Sequence, residues 1–177
     1  MNADQIIRII ATKGPLIPVH VSKEITTDTT LAGAMLSQLA DQKKVFVSHL
    51  KFGGSPLYYL KGQEEKLQEF SKNLNEKDRA AFELLKKEKV LQDSEQTPLT
   101  KVCLRNIKDF AVPLNVTFGE EKEIFWKWYL LHDEDARELI GEKLKIGDRM
   151  REAKKEELEN PGTEEKTANS ENEDKKK

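Results

Sequence analysis

The stretch TTLAGAMLSQLADQKKVFVSHLKFGGSPLYYL, residues 29–60, decides the fold. Its first part carries Leu31, Ala32, Met35, Leu36 and Leu39, which at 100° per residue fall within an arc of about 140°. That spacing predicts a helix running from a Thr29 or Thr30 cap to about Gln42. Its second part holds two β-prone runs, Val45–Leu50 and Leu57–Leu60, on either side of Phe52-Gly53-Gly54-Ser55-Pro56. This is the pattern of a hairpin that turns at its glycine pair.

Upstream, Ile6, Ile7, Ile9 and Ile10 give the segment Ala3–Lys13 one apolar side, and Gly14-Pro15 ends it as a helix. Leu16, Ile17 and Val19 read as a short extended piece, and Val21–Ile25 as one or two helical turns before the Thr26-Thr27-Asp28 turn. Downstream, Leu67, Phe70 and Leu74 mark a helical connector over 63–75. Asn75 caps a helix whose apolar face takes Ala80, Ala81, Leu84, Leu85, Val90 and Leu91. Pro98 opens another, with Leu99, Val102, Cys103 and Ile107 inward. Phe110–Phe118 and Glu123–Leu131 form a second hairpin, in which Trp126 and Trp128 share a face. That pair is either core for the last helix, about Asp133–Leu158, or an exposed aromatic patch. Residues 159–177, rich in Glu and Lys and without a large apolar side chain, are expected to be a disordered charged tail.

Helix, short strand, short helix, turn, helix and hairpin is the order of a winged helix-turn-helix, whose trailing hairpin is the wing. The expected class is mainly α with small β-hairpins (α+β). It comprises a winged domain over 1–62, the connector over 63–75 and a helical and hairpin domain over 76–158. The order helix, loop, helix, hairpin recurs within 76–131, as in a second, degenerate unit of the same kind. The residues Thr29-Thr30-Leu31-Ala32, Met35–Leu39, Val47–Lys51 and Gly53–Tyr59 resemble winged-helix proteins of the archaeal type, a poorly characterised group. The resemblance covers about a third of the chain and implies DNA binding through the second helix of the motif and the wing.

The DNA contacts this reading selects are Ser37, Gln38 and Gln42 for base edges. Lys43, Lys44, His49, Lys51 and Ser55 serve the backbone, with Lys13 and Lys23 in support. Residues 1–62 hold seven Lys and Arg against four Asp and Glu, a net of +3 in a chain whose overall net charge is −2. A basic module on an acidic remainder fits a polyanion partner. The helix face is nonetheless poor in cations, and Asp41 on it repels phosphate. Gly33, Ala34, Ser37 and Asp41 are therefore equally the lining of a protein-docking face, and the last helix offers a seam for a homodimer.

Other classes are disfavoured. His20, His49 and His132 lack ligand spacing, and one cysteine makes neither a zinc site nor an intrachain disulfide. There is no phosphate loop or nucleophile elbow, so a non-enzymatic protein without cofactor, metal or small-molecule ligand is expected. No apolar run is long enough for a membrane helix. The expected setting is the cytoplasm, at the nucleoid if DNA is bound, in transcriptional regulation or chromatin association.

Overall fold

The computed structural model describes residues 3–159. It is a mixed α/β structure with two small antiparallel sheets. The chain divides into two compact units, Met1–Leu139 and Ile140–Lys177. The expected tail beyond 159 lies outside the described residues.

Helix α1 (Ala3–Lys13) buries Ile6 and Ile10 and stops at Gly14, whose φ of +87° suits a residue without Cβ. Leu16 then exchanges two backbone hydrogen bonds with Tyr58, at 2.9 and 2.8 Å. Helix α2 (Pro18–Glu24) begins earlier than the sequence suggested, because Pro18 takes the first helical position, where no N–H is missed. The four residues Ile25–Asp28 turn the chain into α3 (Thr29–Asp41). Asp28, not a threonine, is the cap, and it accepts the Leu31 N–H at 2.8 Å. Ala32, Leu36 and Leu39 are buried, whereas Leu31, expected inside, is 45% exposed. Leu31 lies at the edge of the predicted arc and one turn above Met35, itself only half-buried.

Helix α3 ends with the Lys44 N–H on the Leu39 carbonyl and the Lys43 N–H on the Ala40 carbonyl, both at 2.9 Å. This is a Schellman closure with Lys43, at φ +56°, where glycine is usual. Strands β1 (Phe46–Phe52) and β2 (Ser55–Tyr59) follow. Gly53 and Gly54, both at positive φ, fill the two-residue turn between Phe52 and its partner Ser55. The register slips between Val47 and Lys51, so Ser48–Leu50 bulges out of the ladder.

The connector is a 3-10 helix, Glu64–Asn73. Helix α4 (Glu76–Glu88) is capped by Asn75, which accepts the Asp78 N–H at 2.9 Å. Val90 and Leu91 leave the helix to form β3 (Val90–Gln92), a strand the periodicity did not reveal. Helix α5 (Pro98–Asn106) buries Cys103 and Leu104. Leu99 and Val102, expected inside, are instead 53% and 56% exposed. Strands β4 (Ala111–Phe118) and β5 (Glu121–Trp128) complete a sheet of order β3-β5-β4. The pairing repeats that of the first half. A short extended piece between helices joins the second strand of the hairpin that follows, the single bridge at Leu16 on β2 and then β3 on β5. The second round has one helix, α5, where the first has α2 and α3.

Two cores flank β1–β2. Tyr58 joins Ile6, Ile10, Val21, Leu36 and Val45 on one side. Leu50 and Leu57 join Phe82, Leu85, Leu104, Phe110 and Trp128 on the other. Each such fully buried side chain is worth about 1.5–3 kcal/mol, so the hairpin is a shared wall, and packing continues across the boundary expected at 62. Trp126 and Trp128 are buried, which removes the exposed-patch reading. Trp128 stacks on Phe110 at 6.2 Å and meets Phe82 of α4 edge-on at 5.3 Å, while Trp126 lies beneath Arg105 and donates its indole N–H to Asp93 at 2.8 Å. Phe125 and Lys127, on the alternate face, are buried too. Lys127 donates to the Leu131 carbonyl at 3.0 Å and to Asp133, at the start of α6 (Asp133–Glu159). That bond with Lys127 holds the Asp133 carboxyl below its ordinary pKa.

Candidate nucleic-acid interface

The outward side of α3 carries Thr30, Ala34, Ser37, Gln38 and Asp41, all exposed. No part of the second half of the first unit covers Ser37. Its hydroxyl lies 3.4 Å from the phenol oxygen of Tyr58, which places the ridge beside β2. Gly33 is half-buried and looks toward α2, since a Cβ there would stand 3.9 Å from Pro18. Gln38 and Gln42 lean to the opposite flank. With Met35 and Leu39 they border a groove of about 120 Å³ closed by Ala3 and Ile6 of α1. The ridge therefore presents small and uncharged groups at its centre, two carboxamides on its α1 side and one carboxylate, Asp41.

Cations sit around this ridge, not on it. Lys43 and Lys44 are exposed at its C-terminal end, and Lys51 is exposed on β1 near the Gly53-Gly54 tip. Ser55, on the other side of the tip, is half-buried. Among the described residues, Lys23, Lys43, Lys44 and Lys51 make no ion pair, whereas Lys13 is engaged by Glu24.

His49 has a different surrounding. Its Nδ1 lies 3.3 Å from Asp109, in the four-residue turn between α5 and β4. The Asp109 side chain is only 7% exposed. Its carboxylate accepts the Ser48 hydroxyl at 2.9 Å, the His49 N–H at 2.9 and 3.0 Å, and the Leu50 N–H at 3.0 Å. These are the donors that the β1 bulge takes out of the ladder, so one carboxylate from the second half of the unit completes the hairpin. Nothing near Asp109 in the sequence points to it; its partners lie about sixty residues upstream.

Elsewhere the chemistry is quiet. Burial pushes the Cys103 thiol pKa up, and the neighbouring Asp78 adds to the shift, so the reactive thiolate is disfavoured. Among the described residues no group of three or more His, Cys, Asp or Glu is placed to hold a metal ion, and no helix is long and apolar enough to cross a membrane. No protein-family model, characterised protein or solved structure matches the chain.

Proposed function

We propose that residues 1–62 form a winged helix-turn-helix domain of the archaeal type and that the protein is a non-enzymatic, double-stranded-DNA-binding factor of transcription or chromatin. The observation that carries this reading is the open α3 ridge, set after a four-residue turn and bordered by unpaired lysines at its end and near the glycine tip of the hairpin. Small side chains at Ala34 and Ser37 let the helix approach a groove closely. Lys43, Lys44 and Lys51 supply the sequence-blind phosphate attraction. With only Gln38 and Gln42 to address base edges and no arginine on the ridge, sequence preference is modest.

The test is binding to a random duplex pool across a salt series. The affinity falls steeply with salt. Lys43→Glu with Lys51→Glu weakens it and lowers the logarithmic salt slope by about 0.9 for each phosphate that is no longer neutralised. Absence of binding at low salt, or a double variant that binds like the wild type, removes the proposal. One observation favours a second reading, a protein-docking face: Leu31 and Val47, at 45% and 43% exposure, place apolar surface on α3 and on the strand paired with Tyr58. In that case Ala34→Arg abolishes partner capture, while on DNA the added cation leaves salt-dependent affinity intact or raises it.

A further inference from the structure

The two sheets treat their open edges differently. The free edge of β1 is closed: its bulge bends the strand, Asp109 takes the freed N–H groups, and His49 and Lys51 stand on it. The free edge of β4 has little such protection. Ala111–Phe118 runs through eight residues without one charged side chain, and Pro113 is its only interruption. β5 is covered on both sides, so the sheet's edges are β3, three residues long, and β4, eight residues long; β4 is the longer, and among the described residues no strand pairs with its outer side. Exposed, uncharged edges of this length are templates for another strand, and proteins that stay monomeric blunt them with charge, bulges or proline, of which β4 has the single Pro113.

The hydrogen-bonding phase of β4 can be assigned. The Tyr129 N–H bonds the Phe110 carbonyl at 3.0 Å, so Val112, Leu114, Val116 and Phe118 share that phase and face β5. The opposite phase, Pro113, Asn115 and Thr117, points its backbone outward. Ala111 is already used, its N–H bonding the Ile107 carbonyl at 3.0 Å. Pro113 has no N–H to strand, which is where an edge tolerates proline. Asn115 and Thr117 offer free N–H groups, and Pro113, Asn115 and Thr117 offer free carbonyls.

We propose that β4 pairs antiparallel with β4 of a second copy of this chain, about a two-fold axis at Asn115. In that register Asn115 of the two copies exchange both backbone bonds, and each Thr117 N–H reaches the Pro113 carbonyl opposite. Proline supplies no N–H in return, so each such pair makes one bond instead of two. On the side-chain level Val112 lies across from Phe118 and Leu114 across from Val116, so one apolar row covers another. Phe118, 48% exposed in the single chain, gains a partner. The strand is complementary to itself, which selects a second copy over an unrelated strand. A short shared ladder gives a weak, concentration-dependent dimer.

Sedimentation equilibrium of the full chain up to about 100 µM tests this. The wild type dimerises with rising concentration. Asn115→Pro, which removes an outward donor and leaves the bonds to β5 in place, weakens the dimer at least about tenfold. Should that variant fail to show the wild-type circular dichroism, Phe118→Lys on the same edge replaces it with the same expectation. Oxidised Asn115→Cys forms a covalent dimer, whereas Val112→Cys, which faces Phe118, does not. A wild type that stays monomeric throughout, a dimer indifferent to the edge variants, or equal cross-linking at 112 and 115 overturns the proposal.

Discussion

Replacing Asp109 by alanine tests whether one carboxylate joins the two halves of the first unit. The side chain removed is 7% exposed and receives the His49 and Leu50 N–H groups and the Ser48 hydroxyl. Hydrogen bonds to a charged acceptor contribute roughly 1.5–3 kcal/mol each. Two circumstances reduce the sum. The Leu50 N–H also reaches Ser48 Oγ at 3.0 Å, and the His49 N–H is close enough to solvent to be hydrated. The net cost is therefore set by about one and a half such bonds, roughly 3 kcal/mol. For a chain of this length it lowers Tm by about 6–12 °C. Asp109→Asn keeps an acceptor but turns an amide donor toward the other N–H groups, so it recovers less than half of the loss. Guanidinium denaturation followed by the fluorescence of Trp126 and Trp128 gives the magnitude, and amide exchange gives the location. Protection falls at His49 and Leu50 while the Leu16–Tyr58 pair retains its own. A loss below about 1 kcal/mol, or exchange that rises equally at Leu16 and Leu50, refutes the clamp.

Thr26, a β-branched residue at φ +52° in the α2–α3 turn, is strained by about 1–2 kcal/mol. Thr26→Gly should gain about 0.5–1 kcal/mol after the added freedom of the unfolded chain is subtracted, seen as a higher denaturation midpoint at unchanged slope; a lower midpoint contradicts the strain. Burial pushes the Tyr129 pKa up, and its phenol donates to the Glu64 carbonyl at 2.8 Å. The unfolded phenol ionises near pH 10 while the folded one resists. The stabilisation is complete below that pH and is lost as pH rises toward the folded value. Tyr129→Phe should cost about 1 kcal/mol at neutral pH and flatten the alkaline decline; an unchanged decline would show that the phenol is not its source.

Residues whose partners lie close in sequence were legible. The spacing of Ala32, Leu36 and Leu39 locates α3, the glycine pair locates the first turn, and Asn75 and Pro98 mark helix starts. What escaped is set by distant partners. Val90 and Leu91 are separated from α4 by Lys89 alone, at φ +65°, with no glycine or proline to mark the stop, and become a strand because β5, more than thirty residues later, supplies the ladder. Leu99 and Val102 have the spacing of a core face, but α5 is too short to bury more than the Cys103–Leu104 side that meets α4. Asp109 is one acid among many until Ser48–Leu50 is folded beside it. Of the candidate site, the exposed Ser37 ridge and the lysines were readable, whereas the turn of Gly33 toward α2 and the pairing of His49 depend on packing.

The repeated strand order raises the question of whether the second half could serve the nucleic-acid role proposed for the first, and its charges argue against it. The helix that stands in the place of α3 is α5. Its cations are spent internally: Lys101 and Arg105 lie 3.7 and 3.3 Å from Asp93, and Arg105 also covers the Trp126 ring at 5.5 Å. Asp93 in turn accepts the Trp126 indole N–H at 2.8 Å, so these charges hold the core closed. Besides the engaged Arg105 and Asn106 at its end, what α5 shows to solvent is apolar, Leu99 and Val102. A phosphate backbone gains from unpaired lysine and gains nothing from exposed leucine and valine. A similar strand order therefore carries different surfaces. Among the described residues, Lys43, Lys44 and Lys51 around α3 make no ion pair, whereas both cations of α5 are drawn to one carboxylate, Asp93. If one half of this protein meets a polyanion, electrostatics assigns that contact to the first.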